Sequence, residues 1–270
     1  MSAAATEPAP MVLRQDQDGI AILTLNRAGA RNSLSLAMMA ALQAALDGVA
    51  ADGALRCVVL AAEGPAFSAG HDLKELTAHR ADPDGGQGFF TRAMQDCARL
   101  MQSVVALPQP VIAAVTGVAT AAGCQLVASC DLAIAGEHAR FCTPGVDIGL
   151  FCSTPAVALS RSVARKPAME MLLTGEMIGA EEARRIFLVN RVVPTDQVMP
   201  EALELARRIA ARSAVAVRMG KRGFNRQLGL DLPRAYEEAA AVMVANLLAE
   251  DAAEGIGAFL AKRPPVWTHR

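Results

Sequence analysis

The segment VTGVATAAGCQLVASCDLAIAGEHARF, residues 115–141, carries the strongest indication of the fold class. It joins two short apolar runs, VIAAVTG and DLAIAG, through a series of small residues in which a helix is predicted to begin near Ala122. Apolar strands without polar alternation are typical of parallel strands that are buried on both faces. Residues 115–130 of this segment carry no charge, and their one amide side chain, Gln125, stands two residues after Gly123. The segment therefore predicts a strand–helix–strand unit of the α/β class with an unexplained amide.

The same order of elements extends on both sides of this unit. Residues 11–26 predict a hairpin with the turn DQDG, and RCVVLAAEG predicts a further buried strand. Helical periodicity covers residues 35–51, 85–107, 155–175, 180–190, 200–213, 214–227 and 232–263. We therefore predict a disordered tail over residues 1–10, an α/β core over 11–195 and a helical part over 196–270.

Composition and charge narrow the classes of ligand and compartment. The chain has 270 residues, a net charge of −1 and a pI near 6.4, which does not favour nucleic acid as a partner. Six Cys without a C-x-x-C pair and four His without ligand spacing indicate reduced, buried thiols and no metal site. The first ten residues lack the features of a signal peptide, so we expect a cytoplasmic protein. Pro108 and Pro110 interrupt the run of residues 100–130, which carries no charged side chain, and this argues against membrane insertion.

Two predicted loops follow strands and could hold chemistry. The first, EGPAFSAGHDLKEL, is called here the His71 loop (residues 63–76), and Asp72 can cap a helical turn that begins at Leu73. The second, TGVATAAGCQL, is called the Ala122 loop (residues 116–126) and leads into a helix whose first N–H groups lack internal partners.

If these loops lie at the ends of neighbouring strands, they could direct two N–H donors at one oxygen. Such an oxyanion hole is worth roughly 10²–10³ in rate per donor. Simpler interpretations stay open: AAGC can serve close packing alone, Gln125 can be a satisfied core amide, and the side chain of His71 can lie at the surface.

Four segments resemble the crotonase superfamily, the enoyl-CoA hydratase/isomerase family. They are LTLNRAGARNSLS, FSAGHDLKEL, the opening segment, and MLLTGEMIGAEEARRIFLVNRVV, and the similarity runs from about residue 11 to residue 263. The resemblance implies a crotonase-like spiral of ββα units with a helical C-terminal trimerisation part. It also implies a homotrimer or a dimer of trimers that binds acyl-CoA, with coenzyme A as part of the substrate and no separate cofactor.

The resemblance also implies roles for particular residues. The oxyanion donors would be the backbone N–H groups of His71 and Ala122, where Ala122 stands at a position that is usually Gly. The residues that it implies for coenzyme A are Ala69, Asp72 and Leu73 at the adenine, Arg31 and Lys74 at the phosphates, and Phe259 and Lys262 from the C-terminal part, in many members on a neighbouring subunit.

The sequence departs from the family at both carboxylates that hydratases use to handle water. Gln125 and Gly145 stand in their places, and an amide cannot act as a general base. Loss of general acid–base help typically costs roughly 10²–10⁴ in rate. Asp147, His71 and Ser153 are candidate substitutes, although Asp147 more often would cap a turn or pair with an Arg.

The nominal reaction is therefore hydration of 2-enoyl-CoA by an incomplete acid–base set. The alternatives are isomerisation or thioester hydrolysis through the same enolate, a non-catalytic acyl-CoA-binding protein, and an unrelated α/β interaction protein.

Overall fold

The computed structural model describes residues 9–270, so the tail predicted over residues 1–10 lies outside it except for its last two residues. The strands are β1 Val12–Gln17, β2 Ile20–Leu25, β3 Cys57–Ala62, β4 Ala66–Ser68, β5 Val111–Val115, β6 Val118–Thr120, β7 Leu132–Gly136, β8 Arg140–Cys142, β9 Ile178–Gly179 and β10 Arg191–Val193. The helices are α1 Leu36–Ala51, α2 Leu73–Ala78, α3 Gln87–Ala106, α4 Ala122–Ser129, α5 Ser153–Ser162, α6 Arg165–Thr174, α7 Ala180–Arg185, α8 Val198–Ala210, α9 Ala214–Gln227, α10 Leu232–Leu247 and α11 Glu250–Leu260.

Two sheets form the centre of the fold. The larger has the order β1-β2-β3-β5-β7-β10, in which β1 and β2 form the predicted antiparallel hairpin and the other neighbours are parallel. The smaller has the order β4-β6-β8-β9, and its first three strands are parallel. A chain of parallel neighbours requires crossover connections, which helices supply here.

The two sheets are linked by a repeating path. The chain passes from β3 to β4, from β5 to β6 and from β7 to β8, each time leaving the larger sheet for the smaller one and then entering helices. Three such turns make the predicted crotonase-like spiral of ββα units. The spiral places the connections that follow β4 and β6 side by side.

The apolar strands are explained by burial on both faces. Along β3, Val58 and Leu60 join the main hydrophobic cluster, whereas Cys57 and Val59 join a second cluster on the opposite face. Helix α8 covers that second face with its small side chains Ala202 and Ala206. Parallel sheets need this double cover, since each face would otherwise expose a row of Val, Ile and Leu.

Three helical predictions are longer than the helices observed. The segment 155–175 divides at Val163, which is extended, and the segment 232–263 divides before Ala249, which is also extended. Helix α7 ends at Arg185, two residues before Phe187 adopts φ +67°. No helix within residues 9–270 combines the length and apolarity needed to cross a membrane.

Candidate active site

The His71 loop and the Ala122 loop meet directly. They contain β4 and β6, which pair in parallel with Ser68 opposite Ala119. Gly70 has φ +80°, and a Cβ placed on it would lie 2.8 Å from Cβ of Ala121 and 3.0 Å from the backbone nitrogen of Ala122. Only glycine allows this approach, because any side chain would collide with the neighbouring loop. The expectation that the two loops lie together is confirmed.

The hydrogen bonds of the His71 loop leave the predicted donors free. The carbonyl of Gly70 accepts from Leu34 N–H at 2.7 Å, and the carbonyl of Ala69 accepts from Thr120 Oγ1 at 3.0 Å. Within residues 9–270, the N–H groups of His71 and Ala122 have no hydrogen-bond acceptor. Ala122 opens α4, where the first N–H groups lack intrahelical partners. Both N–H groups are therefore available to an external oxygen.

Ala121 holds the Ala122 loop in an unusual backbone conformation. Its φ of +49° and ψ of −119° lie in a region that residues with a Cβ seldom adopt, while its N–H donates to the carbonyl of Cys142 at 3.0 Å. Such conformations cost about 1–3 kcal/mol and persist where the surroundings impose them. The surrounding contact is Gly123, where a Cβ would lie 2.2 Å from the carbonyl oxygen of Ser68.

The imidazole of His71 is partly buried beside these donors. Its Nε2 is sealed from solvent and is one of three buried side-chain polar atoms within residues 9–270 that lack a partner. Burial lowers the pKa of His71, so the ring is neutral at pH 7. A sealed nitrogen cannot exchange a proton with a bound ligand without rearrangement, which makes His71 a poor candidate for the missing base.

Asp72 organises the loop through its carboxylate. It caps α2 by accepting from the N–H groups of Lys74 and Glu75, and it forms an ion pair of 2.8 Å with Arg27. Burial alone would raise the pKa of Asp72, but hydrogen bonds from Arg27, Glu75 N–H and Ser33 outweigh it and lower the pKa. Arg27 was not predicted as a site residue, and its place in LNRAGARN gave no spacing signal toward Asp72.

The remaining residues assigned to coenzyme A occupy two regions. Arg31, Leu73 and Lys74 are exposed around the His71 loop, and neither cation has a carboxylate partner within the described residues. Phe259, at the end of α11, is 82% exposed, and Lys262 follows it at the surface. Helix α11 packs against α9 and α10, so these two residues project from the helical C-terminal part.

Gln125 lies one helical turn after Ala122 and is 4% exposed. Its side-chain oxygen Oε1 accepts from the thiol of Cys97 on α3, at 3.9 Å. Its side-chain nitrogen Nε2 has no acceptor within residues 9–270. The buried side-chain polar atoms without a partner in these residues belong to other side chains, so Nε2 is not fully buried. The nitrogen therefore reaches accessible space, and the amide is only half satisfied by the core.

The segment of the second missing carboxylate is a 3-10 turn over Pro144–Ile148 and not a strand. In a strand, Asp147 would share a face with Gly145; in the observed turn it does not, and Asp147 is exposed. The space beside buried Gly145 is filled, since a Cβ there would lie 2.9 Å from Sγ of Cys152. Ser153 is exposed, and its hydroxyl donates to the carbonyl of Phe151.

Comparison with known proteins identifies the family to which this architecture belongs. The enoyl-CoA hydratase/isomerase family matches residues 15–270. The chain belongs to the enoyl-CoA hydratase/isomerase family. Within residues 9–270, this family member has no cluster of three or more His, Cys, Asp or Glu side chains arranged to hold a metal ion.

Individual relatives agree with the family assignment. The chain is 48% identical to rat mitochondrial enoyl-CoA hydratase domain-containing protein 3 over 98% of its own length and 86% of the relative. It is 35% identical to the 2,3-dehydroadipyl-CoA hydratase of Escherichia coli K12, over 92% of this chain and 95% of the relative. The segments FCSTPAVALSRSVARK and KRPPVW already resemble the first of these relatives, and the comparison confirms that resemblance.

Solved structures give the same result for the fold. An enoyl-CoA hydratase from Mycobacterium smegmatis superposes with a TM-score of 0.91 at 49% identity, over 96% of this chain and 99% of the other. Human enoyl-CoA hydratase domain-containing protein 3 superposes with a TM-score of 0.90 at 46% identity, over 95% and 100%. The unrelated interaction protein that the sequence left open is therefore excluded.

Proposed function

We propose that this chain is an enzyme that acts on acyl-CoA thioesters and stabilises a thioester enolate between the N–H groups of His71 and Ala122. The observation that supports the proposal is the approach of Gly70, the residue directly before His71, to the backbone nitrogen of Ala122, together with the lack of an acceptor for either N–H within residues 9–270. Preorganised N–H groups stabilise the oxygen charge that develops when a thioester becomes an enolate.

Coenzyme A would be held by the surroundings of the His71 loop. Arg31 and Lys74 are exposed and free of carboxylates within the described residues, so they can meet phosphates on a chain whose net charge is only −1. Ala69, Asp72 and Leu73 would form the adenine pocket, with the Asp72 carboxylate acting as the loop's internal clamp.

The nominal reaction is the addition of water to 2-enoyl-CoA, and we expect it to be slow. Gln125 cannot take or supply a proton at useful pH, and no side chain projects from Gly145. Asp147 is exposed on a 3-10 turn, and Nε2 of His71 is sealed, so neither replaces the carboxylates in the observed arrangement. This favours as the second candidate a protein that binds acyl-CoA and turns it over little or not at all.

The donor at Ala122 can be removed by one designed pair of substitutions. Ala122 is the first residue of α4, where Pro is tolerated and eliminates the N–H. Ala121 must be replaced by Gly in the same variant. Its φ and ψ are the mirror image of the conformation that a residue before Pro prefers, and only glycine adopts that mirror-image conformation readily. The single variant Ala121→Gly is the matched control.

We expect the Ala121→Gly, Ala122→Pro variant to bind acyl-CoA more weakly and to lose about 10²–10³ in any thioester turnover relative to Ala121→Gly. Calorimetric binding and loss of 2-enoyl-CoA absorbance would be measured on both. Equal turnover in the two variants would eliminate the oxyanion role of Ala122. Tight binding without turnover in the native protein would favour the second candidate.

The assembly and the location stay predictions. Exposed apolar side chains concentrate on α9–α11, and this supports a homotrimer or a dimer of trimers formed through the helical C-terminal part. On these helices and the residues that join them, they are Phe224, Leu228, Leu230, Leu232, Tyr236, Met243, Val244, Leu247, Leu248, Ile256, Phe259 and Leu260. The cytoplasmic location expected from the sequence would be tested by fractionation of the source cells.

A further inference from the structure

Gln125 has a defined orientation that bears on substrate choice. Cys97 is fully buried on α3, and burial raises the pKa of its thiol to about 11, so sulfur keeps its hydrogen at neutral pH. A thiol that keeps its hydrogen is a donor, and the partner it meets is Oε1 of Gln125. The amide is thereby turned so that its NH₂ group faces away from α3.

The position of Gln125 on α4 indicates where its NH₂ group lies. Gln125 follows Ala122 by three residues on α4, which puts the two on the same helix face. Helical side chains lean toward the N-terminus of their helix and cover the preceding turn. The nitrogen of Gln125, which has no acceptor within residues 9–270, is therefore presented near the free N–H of Ala122.

The position of the second missing carboxylate adds no competing charge. Gly145 carries no side chain, and the thiol of Cys152 fills the adjacent space. This thiol is neutral at pH 7, because burial raises its pKa. A hydratase has two carboxylates that accept hydrogen bonds from a water. At the same positions this protein has the NH₂ donor of Gln125 and the uncharged contact between Gly145 and Cys152.

We propose that Gln125, held by Cys97, donates a hydrogen bond to an oxygen on the acyl group, and that the preferred ligands are 3-oxoacyl-CoA thioesters. The proposal rests on the proposed function, since it requires the thioester oxygen to occupy the hole between His71 and Ala122. A carbonyl at C3 lies two carbons beyond the thioester carbonyl and can accept from a donor one helical turn from Ala122. A saturated acyl chain leaves the amide NH₂ unpaired.

The test compares two ligands of equal chain length by calorimetry, 3-oxobutanoyl-CoA and butanoyl-CoA. We expect the native protein to bind the 3-oxo compound about five- to tenfold more tightly, as one neutral hydrogen bond provides. The ratio of the two dissociation constants should fall to about one in Gln125→Met, whatever the absolute affinities. It should also fall in Cys97→Ala and be restored in Cys97→Ser, which retains a hydroxyl donor.

The outcomes separate this inference from the proposed function. A native ratio near one, or a preference that survives Gln125→Met, overturns the role of Gln125. A preference that is lost in Gln125→Met but unchanged in Cys97→Ala overturns the positioning role of Cys97. Failure of the native protein to bind either thioester overturns the proposed function itself.

Discussion

Cys152 occupies the volume into which a side chain at position 145 would have to extend. A Cβ on Gly145 would lie 2.9 Å from Sγ of Cys152, 3.0 Å from the carbonyl oxygen of Leu150 and 3.2 Å from the backbone nitrogen of Cys152. The Leu150 N–H also donates to the carbonyl of Gly145 at 2.9 Å, which holds the two segments together. The absence of a carboxylate at this position is thus part of the local packing.

Gly145→Glu alone should therefore destabilise the protein without creating a hydratase. Overpacking of a close contact costs about 1–3 kcal/mol of unfolding free energy. Cys152→Ala removes the nearest atom, so Gly145→Glu, Cys152→Ala should recover part of this loss in urea denaturation. Equal stability of the two Gly145→Glu variants would show that the thiol is not the obstacle.

The same pairing governs attempts to install hydration. The triple variant Gln125→Glu, Gly145→Glu, Cys152→Ala should remove 2-enoyl-CoA absorbance faster than the double variant Gln125→Glu, Gly145→Glu, because the second carboxylate then has room beside position 145. Each recovered acid–base group is worth roughly 10²–10⁴ in rate. A triple variant no faster than the native protein would show that the site lacks more than its carboxylates.

Ala121→Gly should stabilise the protein. The backbone at φ +49° and ψ −119° costs a residue with a Cβ about 1–3 kcal/mol, and glycine relieves this at an entropic cost of about 0.5–1 kcal/mol. We expect a net gain of about 1 kcal/mol in the free energy of unfolding. The matched control is Ala128→Gly within α4, which should lose about 1 kcal/mol. Destabilisation by both substitutions would mean that Ala121 is not strained.

Lys221 and Asp131 join the helical C-terminal part to the α/β core. The lysine nitrogen lies 2.6 Å from Oδ2 of Asp131 and also donates to the carbonyls of Val104 and Gln109, and its side chain is only 8% exposed. Lys221→Met removes the cation and leaves the Val111 N–H as the remaining donor to the carboxylate, which should cost about 3 kcal/mol in urea denaturation. Lys166→Met, at an exposed position, should cost nothing measurable.

The pH dependence of that loss has a defined sign. Burial raises the pKa of Asp131 despite the opposing effect of Lys221. A carboxyl whose folded pKa exceeds its unfolded value carries a penalty that is full above the folded pKa and disappears below the unfolded value near 4. The Lys221→Met loss should therefore shrink as the pH falls toward 4, and a loss that grows instead would contradict the assignment.

The apolar runs predicted an α/β core of buried parallel strands from local patterns alone, whereas the spiral was implied by the resemblance to the crotonase superfamily. The apolar runs, and the small residues around Gly70 and Gly123 that allow the two loops to approach, can be recognised in the amino-acid sequence. The short strands β4, β6, β8, β9 and β10 were missed, since two or three residues carry no periodicity. The contacts of Gln125 with Cys97 and of Gly145 with Cys152 join residues 28 and 7 positions apart, and side-chain orientation of this kind follows from packing and not from spacing.

The last eight residues fold back onto the helical C-terminal part through Asp251, which is 2% exposed. Its carboxylate accepts from Thr268 N–H at 2.7 Å and from His269 N–H at 3.0 Å, and the indole of Trp267 donates to the carbonyl of Ala211. Asp251→Asn weakens these charge-assisted bonds, each worth about 1.5–3 kcal/mol. Since Trp267 is the only tryptophan, release of the segment should shift the fluorescence of the variant to longer wavelength at pH 7.

Acid should produce the same shift in the native protein. Burial alone would raise the pKa of Asp251, but hydrogen bonds from Ser213, Thr268 and His269 outweigh it and lower the pKa. A carboxyl with a lowered folded pKa contributes stability above its unfolded value near 4 and loses it as the pH falls through the folded pKa. The emission of the native protein should therefore shift to longer wavelength below about pH 4. The control variant Glu250→Gln should behave in the same way, although the carboxylate that it removes is exposed beside the same segment. Native-like emission of Asp251→Asn at pH 7 would show that the segment is held by its apolar contacts alone.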